Sequence, residues 1–163
     1  MPMLVSGLVA GFVLGVATGG HLRSLQTLDL KFWPGLIAGV VARGAAPFLG
    51  GLALVTSLAG LVLVSAVAAL NRSLPGAGLI ALGSMLNAIV TFLNAGMPVD
   101  PAALVASGKP APSDGLHVLV GSGTQLPFLA DVLLVPVINN IYSLGDVLLA
   151  IGGFWMTFRL LKR

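Results

Sequence analysis

Residues 51–70 read GLALVTSLAGLVLVSAVAAL, twenty consecutive positions without a charged side chain. At about 1.5 Å of rise per residue a helix of that length spans roughly 30 Å, the thickness of a bilayer's hydrocarbon core. Its polar and interior glycine positions, Thr56, Ser57, Gly60 and Ser65, are all small, which suits a central helix packed closely by others. Outward from this stretch the pattern repeats at 3–20, 34–49, 77–94 and 143–161. The sequence therefore predicts an all-α, polytopic membrane helix bundle of five spans, a single transmembrane domain over 1–163. Short links, Pro47 to Gly51 and Asn71 to Gly76, make the second, third and fourth segments antiparallel neighbours. One long connection, 95–142, separates the last two.

Composition agrees. Hydrophobic residues make up 57% of the chain and charged ones 8%, against roughly a quarter charged in soluble domains. With no cysteine, disulfides, thiolate metal sites and cysteine nucleophiles are excluded. The net charge of +3 is not arranged as a basic stripe with interleaved aromatics, so nucleic acid is not an expected partner. Six of the eight basic residues, Arg23, Lys31, Arg72, Arg159, Lys162 and Arg163, flank the ends of the apolar stretches. Alternating the segments gathers these six on one side and leaves Lys109 on the other. This predicts an N-out, C-in protein of a prokaryotic plasma (inner) membrane, with 95–142 outside. The first stretch lacks a basic leader region and is read as a span rather than a cleaved signal.

Gly7, Gly11, Gly15 and Gly19 recur every four residues, and Gly35 and Gly39 repeat the spacing. On a helix such glycines form a groove that admits another backbone, either within the bundle or from a second copy of the chain. In the connection, Asp100-Pro101 opens a capped helical turn over 100–107, and 108–115 reads as exposed loop. Residues 126–138 are apolar but too short to span, and are read as interfacial or re-entrant. Trp33 and Tyr142 fall where interfacial aromatics sit.

Ionisable groups inside a membrane are costly and call for a partner or a purpose. Arg43 extends the Gly35–Gly39 face, and Asp146 stands at a matching depth in the last segment, so the two are expected to pair; the alternatives are an arginine that reaches outward to headgroups and a functional site. Ser84, Asn87, Thr91 and Asn94, spaced by three, four and three, share one helix face. Ser143, Asp146, Ala150, Gly153 and Thr157 follow the same rhythm, so the two faces are expected to meet. Interhelical hydrogen bonding accounts for that much. The sharper reading is an outward-facing polar pocket built from Arg43, Ser84, Asn87, Thr91, Asn94, Ser143 and Asp146. No cofactor, metal or catalytic set is expected. His21 and His117 fall on opposite sides, and Gly121-Ser122-Gly123 lacks the lysine and strand–helix context of a phosphate loop.

At Leu93-Asn94-Ala95-Gly96-Met97-Pro98-Val99 and Ser143-Leu144-Gly145-Asp146 the chain resembles an uncharacterised bacterial multi-spanning membrane family (domain of unknown function 5317). Supporting positions are Leu126 to Asp131, Gly152, and Gly20-His21-Leu22 to Leu28. The resemblance implies a multi-spanning fold and assigns no activity. The last two spans, at Ala81-Leu82-Gly83-Ser84-Met85-Leu86-Asn87 and Asp146 through Gly152, are also similar to the catalytic helices of lipoprotein signal peptidase. That class works with two aspartates, and Asn87 stands where the first would be, so the likeness implies a retained groove with its chemistry lost. The expected function is accordingly non-catalytic: an accessory or assembly subunit, or a small lipid- or solute-binding protein. Its expected partners are membrane lipid and either a larger membrane complex or further copies of itself. The alternative is a membrane-embedded hydrolase or aspartyl-peptidase-like enzyme with Asp146 as general base.

Overall fold

Six α-helices organise the described residues of the computed structural model, 2–25 and 28–163: α1 Pro2–Ala17, α2 Trp33–Ala45, α3 Ala53–Leu70, α4 Ala77–Leu93, α5 Pro101–Ser107 and α6 Leu144–Leu161. Positions 26 and 27 of the expected inner loop lie outside the described residues. Local signals set the helix boundaries. Gly76, at φ +77°, turns the chain into α4, a conformation glycine adopts without steric cost. Asp100 caps α5 by accepting from Ala102 N at 3.1 Å, as its place before Pro101 predicts. Ser143 starts α6 with a reciprocal capping box closed by Asp146.

Five of these helices fall on the five predicted stretches, yet the expectation of five spans requires correction. Among the described residues, only Gly50–Leu70, which joins a 3-10 turn to α3, and Leu144–Leu161 are long and apolar enough to cross a membrane by length and composition. Apolar α1 and α4 are shorter, and α2 has 13 residues, roughly 20 Å of helix. Pro47 and the glycines at 50 and 51 break α2 and α3 apart earlier than the hydropathy of 34–49 suggests.

The all-α expectation is corrected too. Within 95–142, β1 Met97–Val99 pairs in parallel with β2 His117–Leu119, and β3 Leu133–Val135 pairs antiparallel with β4 Asn140–Tyr142. A compact segment that buries Val99, Leu104, Leu129 and Ile141 must also satisfy the backbone it buries, and short extended pairs do so. The 126–138 stretch is two 3-10 turns and one short strand within this cap, and it leaves Phe128, Val137 and Ile138 exposed, which agrees with an interfacial position. Tyr142 is 5% exposed, so it packs inside rather than in an aromatic belt; Trp33 is exposed.

In the bundle the helices pack side by side in the order α1, α6, α4, α3, α2. Their apolar inner faces meet at Leu4, Leu36, Val64, Ile80 and Leu149. The glycines of α1 receive α6: Gly7 lies on the backbone of Ala150, Gly11 on Phe154 and Thr157, and Gly15 on Leu161. The residue numbers rise together, so α1 and α6 run parallel. Gly19, at φ +85°, meets nothing and belongs to the turn. Gly39 packs on Gly60 and Val64 of α3 instead. The remaining neighbours are antiparallel. Arg23, Lys31, Arg72, Arg159, Lys162 and Arg163 consequently share one end of the bundle, tied by His21 N to Leu161 O and by Lys31 N to Asn71 Oδ1, both 2.9 Å. The cap closes the other end.

Candidate functional site

Beneath the cap lies a cavity of about 460 Å³ whose polar lining includes Arg43, Asn87, Thr91, His117, Asp131 and Asp146. Three helices, α2, α4 and α6, and the cap each contribute to these polar groups. Gly60 of α3 lets α2 come close enough to bring the base of Arg43 against it. The N-terminus of α6 presents Asp146, whose backbone N–H donates to Ser143 Oγ at 3.1 Å. Asn87, projecting from α4, bridges the two: its Nδ2 donates to Asp146 Oδ1 at 3.2 Å, and its Oδ1 accepts from Ser143 Oγ at 2.9 Å. A Cβ at Gly145 would collide with Asn87, so this bridge depends on glycine there.

The two expected polar faces meet only at this point. Ala150, Gly153 and Thr157 turn to α1, where Thr157 Oγ1 donates to Leu8 O at 3.0 Å. Gly145 and Gly152 are the α6 positions that face α4. A helix has several neighbours, and the spacing of small residues does not say which face serves which. Ser84 is fully buried and donates to Leu61 O of α3 at 2.8 Å, an interhelical tie that does not line the cavity. Thr91 hydroxyl lies 3.6 Å from Met97 sulfur at the cavity wall. Asn94 is a fastener for the cap, accepting from Gln125 N at 2.8 Å and donating to Gln125 O at 3.0 Å.

The expected Arg43–Asp146 ion pair is not formed as a contact. Both groups line the same cavity, but among the described residues the Arg43 guanidinium makes no hydrogen bond and no ion pair within 4 Å.

Asp131 escaped the sequence reading because it sits in the connection, far along the chain from any span. The fold brings it in through the backbone: Asp131 N donates to Pro98 O at 2.8 Å, and its carbonyl accepts from Asp100 N at 3.0 Å. The residue thus lies beside β1 as a third extended strand position. Only 7% of it is exposed, and its Oδ1 is buried with no hydrogen-bond partner among the described residues. Burial, and then the nearby Asp146 carboxylate, push its carboxyl up to about 8, so it carries a proton at neutral pH. The clue in the sequence was an acid placed between the apolar runs Leu126–Ala130 and Val132–Val135.

A smaller cavity of about 310 Å³ lies on the far side of Asp131, under the 109–114 loop, and shares His117, Asp131, Asn140 and Ile141 with the first. At its edge His117 Nδ1 lies 2.6 Å from Asp114 Oδ2. Burial pushes the Asp114 carboxyl up, but the N–H of Leu116 and the His117 ring outweigh it and hold it below the usual carboxylate value.

A protein-family model described as a family of unknown function (DUF5317) matches residues 21–158. The match covers most of the chain, and the chain belongs to that family. No curated protein and no solved structure matches it.

Proposed function

We propose that this member of the family is a membrane-embedded bundle whose cavity under the cap holds a small lipid or solute, without catalysis. Support for the membrane comes from the outer surface of the bundle. Val9 and Val13 of α1, Val41 of α2, Val55 of α3, Phe92 of α4 and Trp155 of α6 are each at least half exposed. A continuous apolar belt of this kind belongs against hydrocarbon. Gly50–Leu70 and Leu144–Leu161 would both cross from the cap end to the basic end, the shorter α4 would return the chain between them, and α1 and α2 would pack alongside. The basic end would lie in the cytosol, following the positive-inside rule, and the cap outside.

The binding reading is carried by one observation: Arg43, half-buried, lines a roomy cavity, and its guanidinium has no hydrogen-bond or ion-pair partner among the described residues. A buried guanidinium left unpaired costs several kcal/mol, and a ligand's anionic group would supply the missing partner. Extraction in native lipid, followed by mass spectrometry of the intact particle, tests this. A retained non-protein mass that disappears in Arg43→Gln is the expected result. Wild-type particles that carry no such mass would refute the binding reading. An accessory subunit, the other form of this reading, should in the same preparation bring a larger complex with it.

A second reading, a hydrolase, draws on the meeting of Asp131 and Asp146 at one cavity, a protonated acid beside a carboxylate. Asp146 is already committed to the α6 capping box and to Asn87, which favours a structural role for it. Loss of a measured turnover in Asp131→Asn, with the fold intact, would reverse the preference.

A further inference from the structure

The cavity's two unsatisfied groups differ in chemistry, and together they specify a ligand more narrowly than its volume does. Arg43 offers guanidinium donors and a positive charge. Asp131, in the cap's part of the lining, offers a buried carboxyl whose Oδ1 has no partner among the described residues. Asp146, tethered by Asn87 and Ser143, adds a fixed negative charge at the same cavity. Arg43 and Asp146 thus set one positive and one negative group at the same cavity, with the buried Asp131 carboxyl and the His117 ring in its lining.

A lone anion entering to meet Arg43 would stand near Asp146 as an unpaired like charge. A lone cation would be opposed by Arg43. In a low-dielectric site both arrangements are unfavourable. A ligand that carries both charges changes the balance by nothing and satisfies both ends.

On the reading that this cavity binds a ligand, we propose that the ligand is a zwitterion: an anionic oxygen group held by Arg43 and a protonated primary amine directed at Asp131 and Asp146. About 460 Å³ lies within the usual range for small-molecule sites, enough for a phosphoethanolamine headgroup or a free amino acid. Val5, Val40, Leu61 and Leu149 line the cavity toward the bundle, giving any hydrocarbon portion an apolar wall. These two sources share the recognising chemistry and differ in whether acyl chains accompany it.

The test uses the full chain in nanodiscs of phosphatidylcholine, which presents no N–H donor. Thermal stabilisation and calorimetry are followed with four soluble probes: glycerophosphoethanolamine, L-alanine, glycerophosphoglycerol and ethanolamine. The two zwitterions should bind at least tenfold tighter than the probes carrying one charge, a difference of about 1.4 kcal/mol. Asp146→Asn, which removes the fixed negative charge and keeps an oxygen to accept in the capping box, should bring glycerophosphoethanolamine and glycerophosphoglycerol to within about twofold of each other, and Arg43→Gln should abolish binding of both. Glycerophosphoglycerol binding as well as glycerophosphoethanolamine to the wild type would overturn the zwitterion while leaving a ligand cavity in place. Failure of every probe, together with no retained mass from native lipid, would remove the cavity reading itself. Exchange into phosphatidylethanolamine nanodiscs separates the sources. Displacement of glycerophosphoethanolamine by those discs identifies a lipid headgroup, and unchanged binding identifies a soluble zwitterion.

Discussion

At the scale of single residues, the site rests on a few hydrogen bonds with definable worth. Ser143 both caps α6 and donates to Asn87. Its replacement by alanine removes an N-cap and leaves Asn87 Oδ1 short of a donor, so a loss of about 1–3 kcal/mol is expected in detergent unfolding. Ala95 adopts φ +51° directly after α4, a left-handed conformation that side chains disfavour. Ala95→Gly should therefore raise stability by up to about 1 kcal/mol. Asp131 titrates near 8 when folded, against an ordinary value of 3.8. The folded protein thus holds a proton that the unfolded chain has released across that interval. The stabilisation this brings is complete below the lower value, declines as pH rises, and is gone above the upper one. Melting temperature should fall through this window in the wild type and stay flatter in Asp131→Asn. Asn87, Ser143 and Asp146 could be grouped from helical spacing, since period 3.6 is visible within a span. Asp131 could not, because its position depends on pairing between short strands that leave no periodic trace.

Among the elements, helix positions were the most legible feature. Uninterrupted apolar runs predict where α1, α3, α4 and α6 lie to within a few residues, and Asp100-Pro101 marks α5. Pairing was less legible. The glycine spacing of α1 announces close approach but not its partner, which is α6 from the other end of the chain. The cap's strands, three residues each, are too short for an alternating pattern, and their pairing is set by the loops between them. The packing predicts contrasting glycine substitutions. Gly11→Leu drives a side chain into the backbone at Phe154 and should cost more than about 2 kcal/mol or prevent folding. Gly78, in α4, has open space where a Cβ would stand, so Gly78→Ala should be neutral or stabilise by up to about 1 kcal/mol. Equal effects of the two in a thermal-shift series would contradict the assigned α1–α6 contact.

For the molecule as a whole, the segregation of charge matters most. Six cationic residues surround one end of the bundle and Lys109 stands at the other. Because the chain contains no cysteine, single cysteines report sidedness cleanly. A membrane-impermeant maleimide applied to intact cells should reach a cysteine at position 109 and fail to reach one at position 72. Labelling of both would exclude the membrane orientation proposed above. The parallel contact of α1 with α6 has a consequence for biogenesis. At about 5–20 residues per second, a ribosome needs on the order of ten seconds to synthesise the chain between these helices. Throughout that time Gly7, Gly11 and Gly15 present an empty furrow, and the nascent protein cannot close. Truncation before residue 144 should therefore yield a product cleared rapidly by quality-control proteases, and co-expression of the missing final helix as a separate polypeptide should rescue it.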